Sequence, residues 1–247
     1  MNSPFASIMG VPNGNPTDGN VRADSRKSDP EAPRSAVILR HPAAPEPLPA
    51  GQYLDPSVDI ESLPIPSARF PGIKRVLPER EIVCSGWSAF VEEVAPDPAP
   101  VIERKDQVPY YIGGTLKDAE LINAKLREER LRKGQSTIGK QRSSGHIETL
   151  GPALFLDDDG DVFAREPALR ALGAAALIYT SYSYGFSKSD ATEPARGGRV
   201  SLCLNRSVTP AEYGAIWDAA NHLLGGGFDE HGRSPALCYG RHAAAQQ

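Results

Sequence analysis

Cysteine is scarce in this chain: Cys84, Cys203 and Cys238 are odd in number and far apart. That excludes a disulfide framework and matches no zinc-ligand spacing. Reduced thiols in a cytoplasmic protein are expected. Long apolar runs are missing too, since none approaches the ~20 residues that cross a bilayer. The N-terminus MNSPFASIMG has neither a basic leader nor an extended apolar core. A soluble protein, not exported and without a membrane partner, follows. A basic excess is also lacking. The formal net charge of −4 provides no global field for nucleic acid, so such a partner must meet a local patch.

What is abundant is proline, and it is unevenly placed. Of 23 prolines, 17 lie in the first 100 residues, and no periodic apolar segment of helix length precedes Trp87. Such a stretch cannot bury enough apolar area to offset its backbone entropy. Residues 1–80 are expected to be a disordered Pro-rich tail, with AVIL at Ala36–Leu39 read as linker rather than docking strand. The folded domain is expected over 81–247.

Within that domain, Trp87, Phe90, Val91 and Val94 fall at helical spacing. Thr115 and Asp118 resemble a capping box for a helix through Lys133, which Gly134 would end. ALFLDD reads as a buried strand, Pro167–Leu172 as a short helix, and AAALIYTS as a second strand, a β-α-β pattern. RVSLCL alternates as a half-buried strand does. Thr209, Pro210 and Glu212 then start a helix whose apolar face is Tyr213, Ile216, Trp217, Ala220 and Leu224. These elements imply an α+β fold: a small mixed sheet with β-α-β units, covered by helices on one face.

Three places can carry chemistry. In LFLDDDGD, strand alternation puts Asp157 and Asp159 on one face and Asp158 on the other. Two carboxylates so placed can bind a hard cation such as Mg²⁺, the minimum for two-metal phosphoryl transfer. Taken alone, the run reads first as a solvated turn that Gly160 and Asp161 close, and its setting beside a basic run and a β-α-β unit turns the reading toward a metal-binding strand end. Just before it, GQSTIGKQRSSGH offers Lys140, Arg142 and His146 as phosphate donors, with a solvated basic loop as the alternative. The end of the second strand supplies Thr180, Ser181 and Tyr182, whose hydroxyls suit phosphate or nucleotide but are also ordinary at a strand edge. His41, His222, His231 and His242 lack metal-ligand spacing and read as surface or packing residues.

From Trp87 onward, the order of LFLDDD, YTSYSY, RVSLCLNRSVTPAEYGAIW and GGFDEHGRSPALCYG resembles the phage and plasmid primase-polymerase domains of the archaeo-eukaryotic primase superfamily. The resemblance implies a metal-dependent nucleotidyltransferase of a phage, plasmid or integrated-element replication protein, in reduced or truncated form. It implies Mg²⁺ or Mn²⁺ on Asp157 and Asp159, and Asp229 as a third catalytic acid. Lys140, Arg142 and Arg199 would face phosphates, with Thr180, Ser181 and Tyr182 beside the nucleotide. Partners would be a single-stranded DNA template, nucleoside triphosphates and a replicative helicase. Tyr182 stands where the family places a histidine, and Ala236 where it places an arginine. Two other readings stay open. One is a non-catalytic single-stranded DNA-binding module with Tyr182 and Tyr184 as stacking platforms. The other is a phosphatase similar to the haloacid dehalogenases, with Asp157 as nucleophile and Asp159 as general acid.

Overall fold

The computed structural model describes residues 57–186 and 194–245, and Val37–Leu39 by its backbone path. Most of the expected tail therefore lies outside the described residues. Where the two overlap, the expected boundary at residue 80 is too late.

The central element is a four-stranded sheet in the order β1 (Val37–Leu39), β11 (Ala176–Thr180), β12 (Gly198–Cys203), β10 (Ala153–Asp158). Every adjacent pair is antiparallel, so the sheet is not mixed. The expected β-α-β unit is present in split form. The helix α3 (Glu166–Leu172) links β10 to β11, and β12 runs between them. Because both outer strands are antiparallel to β12, the C-terminal ends of β10 and β11 meet the start of β12 at one end of the sheet. That end carries the acidic run.

Ala36 lies outside the described residues, but the rest of the AVIL segment is a docking strand rather than linker. Val37–Leu39 pairs with Ala176–Ile178 and covers an edge of β11 that would otherwise present unpaired N–H and C=O groups.

Both faces of this sheet are buried, which corrects the expectation of helices on one face and of a half-buried RVSLCL. Val200 and Leu202 join Leu154, Leu156 and Ile178 in one apolar cluster. It includes Tyr213, Ile216, Trp217 and Ala220 of α4 (Pro210–Leu223). Cys203 on the opposite face joins Phe155, Leu177 and Tyr179 in a second cluster. Its cover is α1 (Trp87–Val94), whose Trp87, Phe90, Val91 and Val94 are all buried. The rings run in a chain: Trp87 to Phe90 at 5.4 Å, Phe90 to Phe155 at 5.9 Å, Phe155 to Tyr239 at 4.7 Å. Burial of each large side chain contributes about 1.5–3 kcal/mol, enough to hold an eight-residue helix that would be marginal alone.

Strand β2 (Ile65–Phe70), inside the stretch expected as tail, is an inner strand of a second antiparallel sheet. Its order is β13 (Tyr239–Gly240), β5 (Tyr110–Ile112), β2, β3 (Arg80–Cys84). The prolines at 64 and 71 that made this stretch look like linker mark the limits of a six-residue strand whose Ala68 and Phe70 are fully buried. Smaller pairs complete the frame. They are β6 (Gly114–Leu116) with β9 (Ile147–Leu150), β7 (Ala119–Glu120) with β8 (Ile138–Gly139), and β4 (Val101–Ile102) parallel to β14 (Ala244–Ala245).

The helix expected from Thr115 begins only at Ala124, as α2 (Ala124–Arg132). Strand pairing claims Thr115, and the Asn123 side chain accepts the Leu126 N–H as the true cap. No residue of α2 is buried, in keeping with its few apolar positions. At α4 the capping box is as expected: Thr209 Oγ1 accepts from the Glu212 N–H, and Glu212 accepts from the Thr209 N–H.

Candidate active site

Of the three consecutive acids, Asp157 and Asp158 divide by strand parity, whereas Asp159 lies past the end of β10 and is exposed, so the strand face expected to carry both Asp157 and Asp159 carries Asp157 alone. Asp158 lies on the α4 side and is 2% exposed. Arg165 Nε donates to its Oδ2 at 2.6 Å and the Gly160 N–H to its Oδ1 at 2.8 Å. Arg165 also donates to the Leu224 carbonyl at 3.1 Å and lies over the Phe228 ring. Asp158 is thus fully used in tying β10 to the end of α4. Asp161 closes the turn, accepting from the Phe163 N–H at 3.1 Å and pairing with Arg196.

Asp157 points to the other side and stands directly opposite Arg199 of β12, which in turn is paired with Tyr179 on β11. Arg199 Nε lies 3.5 Å from Asp157 Oδ1. The two form an ion pair without a hydrogen bond, since the buried Nε has no hydrogen-bond partner. Gly198 makes this placement feasible. A Cβ there would lie 2.7 Å from Val162 Cγ1, so only glycine lets β12 start so close to its neighbours.

The charges of Asp159 and Asp229 are felt at the same carboxylate. The Asp229 N–H donates to the Asp157 carbonyl at 2.9 Å, fastening the loop after α4 to the strand end. Burial pushes the Asp157 carboxyl up. Arg199 and Lys105 work against that rise, and Asp159 and Asp229 add to it. Asp229 is held low by hydrogen bonds from the His231 backbone and ring. For Arg199, burial opposes the charge, but Asp157, Tyr179, Tyr110 and Tyr239 prevail and raise its pKa. One guanidinium therefore feels three tyrosines and faces one acid, Asp157.

The basic run reaches this place only through Arg142. Its Nη1 donates to Cys238 Sγ, and its charge, with those of Arg199 and Asp157, is felt at Tyr110. Lys140 is instead paired with Glu81. His146 is not an exposed phosphate donor. It is 1% exposed, and its Nδ1 is 2.6 Å from Ser143 Oγ.

The second strand end is likewise closed. Thr180 is buried with its Oγ1 3.2 Å from His242 Nδ1, and the Ser181 N–H donates to Gly197. Tyr182 donates its hydroxyl to the Ile102 and Glu103 carbonyls at 3.2 and 2.8 Å. Its phenol pins the strand end to the chain beyond β4 and does not reach toward the acids. The rings of Tyr184 and Phe163 meet at right angles, with centroids 6.1 Å apart.

Sequence reasoning missed Lys105, Tyr110, Tyr239 and Cys238. They come from distant elements and carry no local pattern. His242, read as a surface or packing residue, is buried beside Thr180 and Tyr179. Burial lowers its pKa.

Among the described residues, no three His, Cys, Asp or Glu side chains form a group able to hold a metal ion. The acids fit a more modest role. Mg²⁺ is commonly bound by one or two carboxylates, with waters and substrate phosphates completing its shell. Asp157 lies on the strand opposite Arg199, and Asp159 is exposed one residue past the end of β10, so the pair supplies two carboxylates rather than a closed cage. No protein-family model, no curated protein and no solved structure matches the chain, so the functional reading rests on its own residues and geometry.

Proposed function

We propose that this chain is a metal-dependent nucleotidyltransferase domain of the primase-polymerase kind, acting on nucleoside triphosphates along a single-stranded template. One observation carries the reading: Asp157, Asp159, Asp229 and Arg199, from three separate segments, converge at one end of the central sheet.

In the proposed reaction a primer 3′-hydroxyl attacks the α-phosphorus of a triphosphate, a P–O bond forms, and pyrophosphate leaves with the bonding pair. A bound Mg²⁺ or Mn²⁺ would supply Lewis-acid stabilisation of the reacting oxygens. Asp157 and Asp159 would hold it. Arg199 fixes the position of Asp157 and keeps its carboxyl from rising further. Asp229 ties the closing loop to the strand and adds negative charge where a cation would bind. Arg142 and Lys105 supply positive charge at the flank for phosphates.

The commitment of Tyr182 to backbone carbonyls favours one second reading, a non-catalytic single-stranded DNA-binding module. A phosphate-binding histidine expected at that strand end is replaced by a structural tyrosine.

The test is nucleotide incorporation on a primed and an unprimed single-stranded template with Mg²⁺ or Mn²⁺. Wild type is expected to incorporate, and Asp157→Ala and Asp159→Ala to lose at least a hundredfold. Activity surviving both substitutions removes the metal assignment. An inactive wild type that still binds the template selects the binding module.

A further inference from the structure

Away from the acids lies a cleft of about 890 Å³. Its walls are the loop after β2, the turn at Lys105–Gln107 and the start of α2. Three acids and four cations line it. The acids are already engaged: Glu79 pairs with Arg69, Asp106 with Arg104, and Glu129 with Lys133. Lys74, Arg75 and Lys125 make no ion pair among the described residues, and all three are exposed. The cleft therefore carries cations outside any ion pair on two of its walls, the loop after β2 and the start of α2, with Asp106 feeling the charge of Lys74, in a protein of net negative charge.

The cleft is also joined to the acids. The turn that contributes Arg104, Asp106 and Gln107 to its lining contains Lys105, whose charge is felt at Asp157. On the other side, the Arg142 N–H donates to the carbonyl of the lining residue Val76 at 2.7 Å. Cations thus continue from the cleft to the acidic end of the sheet.

We infer that this cleft holds the phosphate backbone of a single-stranded nucleic acid and leads it to the acids. Its volume exceeds that of one phosphate, and its cations lie on separate walls, as a linear polyanion requires. No aromatic side chain lines it, so contact is to phosphates rather than through base stacking. Binding should then fall steeply with salt and depend little on base composition. The choice of polyanion rests on the nucleotidyltransferase reading. The cleft itself does not.

The experiment is fluorescence anisotropy of the full chain with labelled 20-mers of deoxythymidine and of uridine across a salt series. Combining Lys74→Ala, Arg75→Ala and Lys125→Ala is expected to weaken binding at least tenfold. It should also reduce the slope of log K against log salt by about two, at roughly 0.7 per phosphate contact on a single strand. Lys74→Arg with Lys125→Arg should bind as wild type. Weaker binding to only one of the two oligomers in the triple variant identifies that strand as the ligand. A triple variant that binds both like wild type, or a wild type that binds neither, overturns the inference. Incorporation that depends on Asp157 but not on the three cations would leave the catalytic reading standing without the cleft. Cleft-dependent binding without incorporation would do the reverse.

Discussion

Arg199 and Asp157 stand opposite each other on neighbouring strands, Nε 3.5 Å from Oδ1, with no hydrogen bond joining them. The arrangement leaves a carboxylate that burial and two neighbouring acids push up, opposed chiefly by one guanidinium. Replacing Arg199 by methionine fills the same space without the charge, so the Asp157 carboxyl should titrate at higher pH than in wild type. A group whose folded pKa is raised supports the fold fully below its unfolded value and loses that contribution as pH rises through the folded one. The Arg199→Met chain should therefore lose stability over a wider range of rising pH, read by urea melts beside carboxyl ¹³C titration. An unshifted Asp157 titration contradicts the pairing.

Asp158, adjacent in sequence, should behave differently. Its removal leaves Arg165 without its partner in a largely buried place, and breaking such pairs costs about 3 kcal/mol. Asp158→Ala should lower the urea midpoint accordingly, whereas Asp159→Ala, on an exposed residue, should change it by less than about 0.5 kcal/mol. Equal losses would mean that the division of the acids by strand face is wrong.

Tyr182→Phe deletes only the hydroxyl that donates to Ile102 and Glu103. The expected loss is about 1 kcal/mol of stability with nucleic-acid affinity unchanged. A tenfold weaker affinity at unchanged stability would return Tyr182 to the binding site.

At α4, a hydrogen bond from Arg206 and further ones from Thr209 push the Glu212 carboxyl down to about 2. The sign is that of a depressed acid: its contribution is complete above the ordinary glutamate value of about 4.3 and fades as pH falls toward about 2. Glu212→Gln should flatten that acid limb in thermal melts. Thr209→Ala should cost about 1 kcal/mol at neutral pH through the lost cap. A limb that is unchanged in Glu212→Gln would show that another carboxylate produces it.

How far the sequence reveals all this depends on the range of each interaction. Thr209, Pro210 and Glu212 act within one turn, so α4 is legible from its first residues. The Trp87 stripe and the β10 and β11 runs are legible for the same reason. The opposite faces of Asp157 and Asp158 follow from strand parity alone. By contrast, β2 hides between prolines because its burial comes from β3 and β5. Tyr182 looks like a site residue because the carbonyls that accept its hydroxyl lie some 80 residues away. The aromatic setting of Arg199 is built from Tyr110, Tyr179 and Tyr239, three strands that only the folded chain brings together.

The most direct measurement of the central claim is Mn²⁺ binding, followed as loss of the free-ion EPR signal in the presence of a nucleoside triphosphate. Wild type, Asp157→Asn, Asp159→Asn and Asp158→Asn are compared. Binding is expected to weaken at least tenfold for Asp157→Asn and Asp159→Asn and to stay unchanged for Asp158→Asn, whose side chain lies on the opposite face of β10 from Asp157. Equal binding by all four chains would contradict a cation site on Asp157 and Asp159.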